Sequence, residues 1–379
     1  MRYYLIAGEA SGDLHGANLM KGLLAADPEA EFRFWGGDKM AAVGGEANLA
    51  MHYRKASFMG FTEVLKNLRT IFSQIDACKK DITAWKPDVL ILIDYAGFNL
   101  RIARFGKENG IPTYYYIAPK VWAWKESRVR KIRRYVDRLF VIFPFEPEYF
   151  RRHGIEAIYE GNPLTDAIAQ RRSSLASDEE FRKACGLDAR PIIALLAGSR
   201  RSEIGYNLPF MVDLSRRFPQ YQFVVAGVPW LEKALYDRYL ADSDVRWVCD
   251  RTYELLAHSL GAVVTSGTAT LETALLGVPE VVCYRRDWPS MLIGKMFLRT
   301  RFVSLVNLVL GRECVRELLQ HHMTMANASA QLEAILPGGA EHERIMTDYE
   351  ELRRLIGEAG VSARFAARMV ELLEKDRQK

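Results

Sequence analysis

The feature that most restricts the fold of this chain is an alternation: short, uninterrupted apolar runs separated by longer amphipathic stretches. The runs VLILID (89–94), TYYYIAP (113–119) and RLFVIF (138–143) are rich in β-branched and aromatic residues and carry little polar alternation. A strand with one face in water alternates; strands that read as continuous apolar runs are covered on both faces, as in a parallel sheet between two helical layers. The polar stretch 170–191 interrupts the pattern, which restarts with IIALLAGSRRSEI (192–204), YQFVVAGVP (221–229), VRWVC (245–249), GAVVTSGT (261–268) and PEVVCYR (279–285). Each half opens with a strand, a small-residue loop and a helix, the first through Arg2 to Ala7 with Gly8 and Gly12 behind it. The expected fold class is α/β, with two Rossmann-like, doubly wound domains facing a cleft. The expected boundaries are 1–168 and 169–340, with a helical tail at 341–379 in which Tyr349, Leu352, Leu355 and Ile356 recur at helical spacing. That tail is long enough to pack back on the first domain or on a second copy of the chain, as a homodimer.

A chain of 379 residues with 49% apolar content exceeds what one domain usually carries. The formal charge of +5 is compatible with an anionic surface and does not demand nucleic acid. Five scattered cysteines (Cys78, Cys185, Cys249, Cys283, Cys314) argue against a disulfide framework or a structural zinc site and for a reducing compartment. The N-terminus runs straight into a strand without signal-peptide character, and no apolar run reaches a membrane span. A cytoplasmic protein is expected, one still able to lie on a membrane.

Two loops carry phosphate-binding chemistry. In TSGTATLETALLGVP (265–279), Ser266, Gly267 and Thr268 turn the chain from a strand into a helix, ended by Gly277 and Pro279. Free amides and hydroxyls at a helix start favour an anion, and Glu272 one turn in suits ribose hydroxyls. In LLAGSRRSEI (195–204), Gly198 and Ser199 form the turn and Arg200 and Arg201 offer forked cations to phosphate oxygens. Each feature has an ordinary structural counterpart, a helix cap or a solvated basic turn. Together they point to a nucleoside diphosphate held by the second domain.

Five further stretches make a resemblance specific: AGEASGD (7–13), MGFTEVL (59–65), YIAPKVWAWKESRVRKI (116–132), PFEPEYF (144–150) and VNLVLGRECVRELLQ (306–320). In this order, over nearly the whole chain, they resemble the lipid A disaccharide synthase family. The resemblance implies an inverting transfer that joins a UDP-linked diacylglucosamine to diacylglucosamine 1-phosphate, forming a β-1,6 disaccharide and UDP. It implies no metal for the transfer and no cofactor, and the sequence is read as carrying no acidic metal-binding cluster such as Asp-x-Asp. Arg200 matches the family's Gly-Ser-Arg turn, and Ser266, Gly267, Thr268 and Glu272 its donor-binding helix start. Asn307, Arg312, Glu317 and Gln320 match its Asn-Leu-x-x-Gly-Arg and Glu-Leu-Leu-Gln elements, which would close over the donor. Without the family, those four read as helix capping and surface polarity.

Inversion needs one base to take the acceptor hydroxyl proton. The family commonly has Ile-Asp-x-Pro-Asp-Phe-Asn at a strand end; here the stretch is IDYAGFN (93–99), with Gly97 at the second Asp position. Asp94 is the first candidate base and Glu9 the second, with Asp13 and His15 on the same neighbouring loop. Gly8 and Gly12 are read as room for the backbone to approach a sugar. Asp88, at the other end of the strand, reads as a strand-entry residue.

Acylated substrates imply contact with a bilayer, at the cytoplasmic face of the inner membrane with its anionic lipids. The stretch 56–75 places Phe58, Met59, Phe61, Val64, Leu65, Leu68, Ile71 and Phe72 mostly on one helical side, flanked by Lys66 and Arg69. The stretch 120–138, with Trp122, Trp124, Lys125 and many basic residues, suits headgroups or a substrate phosphate. Competing functions are a UDP-N-acetylglucosamine epimerase, which shares the fold, and a nucleic-acid-binding protein using the basic segment. A nicotinamide-dependent dehydrogenase fits less well, since GEASGD lacks the G-x-G-x-x-G spacing.

Overall fold

The computed structural model describes residues 1–56, 68–122, 127–172, 175–285 and 300–378. The first unit, Met1–Pro163 with Gly357–Lys379, is built on strands β1 (Arg2–Ala7), β2 (Glu31–Gly36), β3 (Leu49–His52), β4 (Val89–Ile93), β5 (Thr113–Tyr116), β6 (Arg138–Val141) and β7 (Ala157–Tyr159). They form one sheet in the order β3-β2-β1-β4-β5-β6-β7, every pair parallel. Along β1, Tyr3 and Leu5 enter one apolar core while Tyr4 and Ile6 enter another; along β4, Val89, Ile91 and Ile93 oppose Leu90 and Leu92 in the same way. This two-sided burial is why the runs show no polar alternation.

The second unit, Leu164–Ile356, holds β8 (Ile192–Leu196), β9 (Gln222–Gly227), β10 (Arg246–Cys249), β11 (Ser259–Val264), β12 (Glu280–Tyr284) and β13 (Glu317–Leu319). Its order is β10-β9-β8-β11-β12-β13, again all parallel. In each sheet the strand order reverses once, between β1 and β4 and between β8 and β11. Such a switch point splays the two following loops apart and leaves room for a ligand at the strands' C-terminal ends.

The expected tail at 341–379 is divided. Helix His342–Ile356 belongs to the second unit and helix Val361–Arg377 to the first. Val361, Phe365, Ala366, Met369, Val370 and Leu373 of the latter are buried in the core that also takes Ala17, Leu19, Met20 and Leu23 of helix Ala10–Ala26. Arg138 pairs with Asp376 at 3.0 Å, and Arg377 pairs with Asp88. The apolar face of that helix packs on helix Ala10–Ala26 within the first unit. Asp88 also accepts from the Arg2 amide at 2.7 Å, fixing the entry of β1 beside β4 as a strand-entry residue should. Among the described residues, no helix is long and apolar enough to cross a membrane.

Candidate active site

At the first switch point, Ala7 of β1 lies beside Ile93 of β4, so the loops carrying Glu9 and Asp94 leave the sheet side by side. Glu9 precedes helix Ala10–Ala26 in extended conformation, makes no side-chain cap bond, and accepts from Ser11 Oγ at 2.7 Å. Asp94 and Tyr95 are both left-handed, with φ of 44° and 45°. For residues with a Cβ, and for a bulky one above all, this conformation is uncommon and costs about 1–3 kcal/mol each. Asp94 is half-buried, and burial together with the negative charge of Glu9 pushes its carboxyl up to about 6, against the opposing pull of Lys120 and Arg128. Burial and a neighbouring acid raise a carboxyl in this way both at catalytic sites and in structural networks.

The other candidates of this loop have different work. Asp13 is buried and accepts from three amides, those of Gly37 (2.7 Å), Lys39 (3.1 Å) and Met40 (3.0 Å). It therefore caps helix Asp38–Gly44 rather than presenting an open oxygen. His15, half-buried, sits further along helix Ala10–Ala26. Gly8 does not make room for a sugar: a Cβ there would strike the ring of Tyr95, and one on Gly12 would crowd Ala7 at 3.2 Å. Gly97, the second residue of helix Ala96–Glu108, is exposed, and a Cβ there would meet nothing within 4 Å.

Trp122 is a correction. It is buried, its Nε1 donates to Glu146 at 2.9 Å, and its ring meets Phe145 edge-on at 5.0 Å. Glu146, fully buried, also accepts from the amides of Ile142 and Phe143, and burial pushes its carboxyl up to about 7. Trp122 is an internal strut and not a membrane contact. Phe58, Met59, Phe61, Val64, Leu65, Lys66, Trp124 and Lys125 lie outside the described residues. Helix Leu68–Trp85 follows, with Phe72 52% exposed under the Arg101 guanidinium. In helix Ser127–Tyr135, Val129 and Ile132 face the core, while Arg130, Lys131, Arg133 and Arg134 are exposed.

At the second switch point, Leu196 of β8 pairs with Val264 of β11, and the two predicted phosphate loops emerge next to each other. Gly198 takes φ +109°, and a Cβ there would strike Glu203, whose carboxylate accepts from the Ser199 amide at 3.0 Å. Ser199 and Arg200 are exposed; Arg200 touches Glu203 at 3.4 Å and keeps 66% of its side chain in solvent. Gly267 and Thr268 open helix Thr268–Leu275, whose start carries no side-chain cap bond. Its amides are suited to an anion. Ser266 is not one of the donors, because its hydroxyl donates to the Val303 carbonyl at 2.8 Å. Glu272 accepts from the Tyr253 hydroxyl at 2.7 Å, and burial raises its pKa. Trp230, which the sequence reading overlooked, is 62% exposed and donates to the Ser199 carbonyl at 3.0 Å.

Asn307 and Glu317 are brackets. Asn307 is fully buried; its Oδ1 accepts from the amides of Cys314 (2.8 Å) and Val315 (3.0 Å), and its Nδ2 donates to Val315 O (2.8 Å) and Glu317 (2.9 Å). Glu317 in turn accepts from the amides of Val303 and Ser304. Through Val303 this network reaches Ser266, so these residues support the helix start from behind. Arg312 pairs with Asp348 (2.7 Å) and Glu351 (2.6 Å) of helix His342–Ile356. Gln320, half-buried with φ 52°, sits just past the C-terminal end of β13. The chain does contain one Asp-x-Asp tripeptide, 242–244, whose Asp244 pairs with Arg190. No group of three or more His, Cys, Asp or Glu side chains among the described residues could hold a metal ion.

A family model described as Lipid-A-disaccharide synthetase matches residues 3–368. The chain belongs to that family. Lipid-A-disaccharide synthase of Myxococcus xanthus is 38% identical over 383 residues, covering 99% of this chain and 98% of the relative. The synthase of Syntrophus aciditrophicus is 36% identical over 378 residues, covering 98% and 97%. Among solved structures, this synthetase family member shares its fold with UDP-GlcNAc 2-epimerase from Neisseria meningitidis bound to UDP-GlcNAc (TM-score 0.65, 12% identity, 98% of this chain and 100% of that one). It also shares it with sucrose-phosphate synthase from Thermosynechococcus elongatus (TM-score 0.63, 12% identity, 99% and 100%). At such identity the likeness concerns the fold alone. The epimerase alternative therefore keeps only the architecture, and the synthetase is a glycosyltransferase of lipid A biosynthesis.

Proposed function

We propose that this synthetase transfers a 2,3-diacylglucosaminyl group from UDP to 2,3-diacylglucosamine 1-phosphate with inversion, using Asp94 as the base. The acceptor's 6-hydroxyl oxygen bonds to C1 of the donor while the bond from C1 to the UDP oxygen breaks on the opposite face. The hydroxyl proton passes to Asp94. Charge developing on the diphosphate is taken up by Arg200, the Ser199 hydroxyl and the amides of Gly267 and Thr268. Glu272 accepts from the ribose, and Gln320 closes on the donor. Asn307, Arg312 and Glu317 hold the frame. Glu9 keeps Asp94 basic enough to accept a proton, and Asp13 and His15 support its loop.

One observation carries this reading: Asp94 with Glu9, and Arg200 with the Thr268 helix start, each fall at the one place in their sheet where the strand order reverses. The test is UDP release by the purified protein, expected only when both acylated sugars are present. Asp94→Asn is expected to lower turnover by about 10²–10⁴-fold with UDP affinity retained; near-normal turnover removes Asp94 from the mechanism.

The same reading places the enzyme peripherally on the cytoplasmic face of the inner membrane. The exposed cations of helix Ser127–Tyr135 support this. Flotation with anionic vesicles tests it, and absence of binding at low salt counts against it.

A further inference from the structure

Asp94 and Tyr95 interrupt the chain between β4 and helix Ala96–Glu108 with two successive left-handed residues. Neither is glycine, so the conformation has to be imposed from outside. Two buried side chains converge on it. Tyr115, fully buried in β5, donates its hydroxyl to the Asp94 carbonyl. Asn99, fully buried in the helix that follows, donates Nδ2 to the same carbonyl at 2.9 Å and to the Ile93 carbonyl at 3.2 Å. The turn is held from its other side by Tyr95, whose ring stacks on Phe98 at 5.3 Å and fills the space over Gly8.

The carbonyl at the end of a β4-like strand ordinarily continues the ladder or faces water. Here it receives two side-chain donors, one from the neighbouring strand and one from the next helix. We propose that Tyr115 and Asn99 are positioning residues for the transfer, gripping the Asp94 carbonyl so that the left-handed pair delivers the Asp94 carboxylate to the sheet edge beside Glu9. This rests on the reading of Asp94 as the base. Loss of one donor lets the Asp94–Tyr95 peptide relax toward negative φ and swings the Cα–Cβ bond of Asp94 away from its present direction. A misplacement of about 1 Å at a catalytic group is enough to lower a rate about 10²-fold.

The experiment is Tyr115→Phe, which keeps the buried ring and removes only the donor, made in the native chain and in Asp94→Asn. In the native background kcat is expected to fall about 10- to 100-fold, with UDP affinity and the KM for the donor unchanged, because the donor loops lie in the other unit. In Asp94→Asn the same substitution is expected to add no further loss to the residual rate, since its effect passes through the carboxylate already removed. A native-like kcat for Tyr115→Phe, with Asp94→Asn slowed as expected, overturns the positioning role and leaves the base in place. An equal loss in both backgrounds overturns it as well, because Tyr115 then acts by another route. Near-normal turnover by Asp94→Asn overturns the base and this proposal together. If Tyr115→Phe unfolds below the assay temperature, Asn99→Ser removes the second donor and is read by the same outcomes.

Discussion

Replacing Asn307 by alanine distinguishes a side chain that holds the frame from one that touches the donor. The substitution leaves two buried amides, those of Cys314 and Val315, the Val315 carbonyl and one oxygen of Glu317 without their present partner. A buried group left unpaired costs about 1–3 kcal/mol. One water in the vacated space restores about two of these four bonds, so two groups stay unpaired at a net cost of about 2–6 kcal/mol. For a unit of this size about 2–4 °C accompanies each kcal/mol, so the second unit should unfold roughly 4–24 °C lower. Calorimetry with and without UDP measures this, alongside the UDP dissociation constant of the folded variant at low temperature. The expected result is a large fall in unfolding temperature with UDP affinity changed less than about threefold, under 1 kcal/mol. Asn307→Asp should be no better at neutral pH, since it sets a carboxylate against the Val315 carbonyl and Glu317. An unfolding temperature within 2 °C of native (about 1 kcal/mol) together with a UDP affinity more than about tenfold weaker would refute the bracket and make Asn307 a ligand contact.

Turnover should fall as pH drops through about 6, because Asp94 must be unprotonated to accept a proton and its carboxyl is pushed up to about 6 by burial and by Glu9. A kcat/KM profile that is flat from pH 5 to 8 contradicts this assignment. Gly97→Asp should stabilise the first unit by about 0.5–1 kcal/mol, exchanging glycine for an acid in the first turn of a helix. Its Cβ meets open space, so a lower unfolding temperature would show that this space is not open. Glu280 is fully buried, and burial with nearby Glu317 holds its carboxyl well above the usual range. The folded state therefore keeps a proton that the unfolded chain releases above about pH 4.3. Its contribution to stability is complete below that pH and is lost as pH rises toward the folded pKa. Glu280→Gln should thus gain on the native chain in unfolding temperature between pH 5 and pH 8; a difference independent of pH contradicts the buried acid.

The sheets were legible because burial on both faces leaves a strong mark: runs such as VLILID have no polar position to hide. The turns at the C-terminal strand ends were legible because tight turns and helix starts restrict residue type: Gly198 takes φ +109°, and Gly267 with Thr268 opens a helix. What was hidden is what depends on distant partners. Asp13 looks like a proton acceptor until the amides of Gly37, Lys39 and Met40 arrive from another helix. Trp122 looks like a headgroup anchor until Glu146 is placed against it. The left-handed Asp94–Tyr95 pair leaves no local mark at all, since neither residue is glycine and the restraining donors come from β5 and helix Ala96–Glu108. Asn307 and Glu317 carried a family resemblance that suggested contact with the donor, while their geometry ties backbone to backbone behind it.

The division of the C-terminal region also orders events during synthesis. Helix Ala10–Ala26 emerges early, but the helix that covers its apolar face, Val361–Arg377, follows only after the whole of Leu164–Ile356 has been made. At about 5–20 residues per second, the nascent first unit waits on the order of ten seconds or more with Ala17, Leu19, Met20 and Leu23 lacking their final cover. The second unit has all its strands in hand before that wait ends. It is free to fold first, although it is the later of the two to begin leaving the ribosome, and the early unit keeps that apolar face open in the interval.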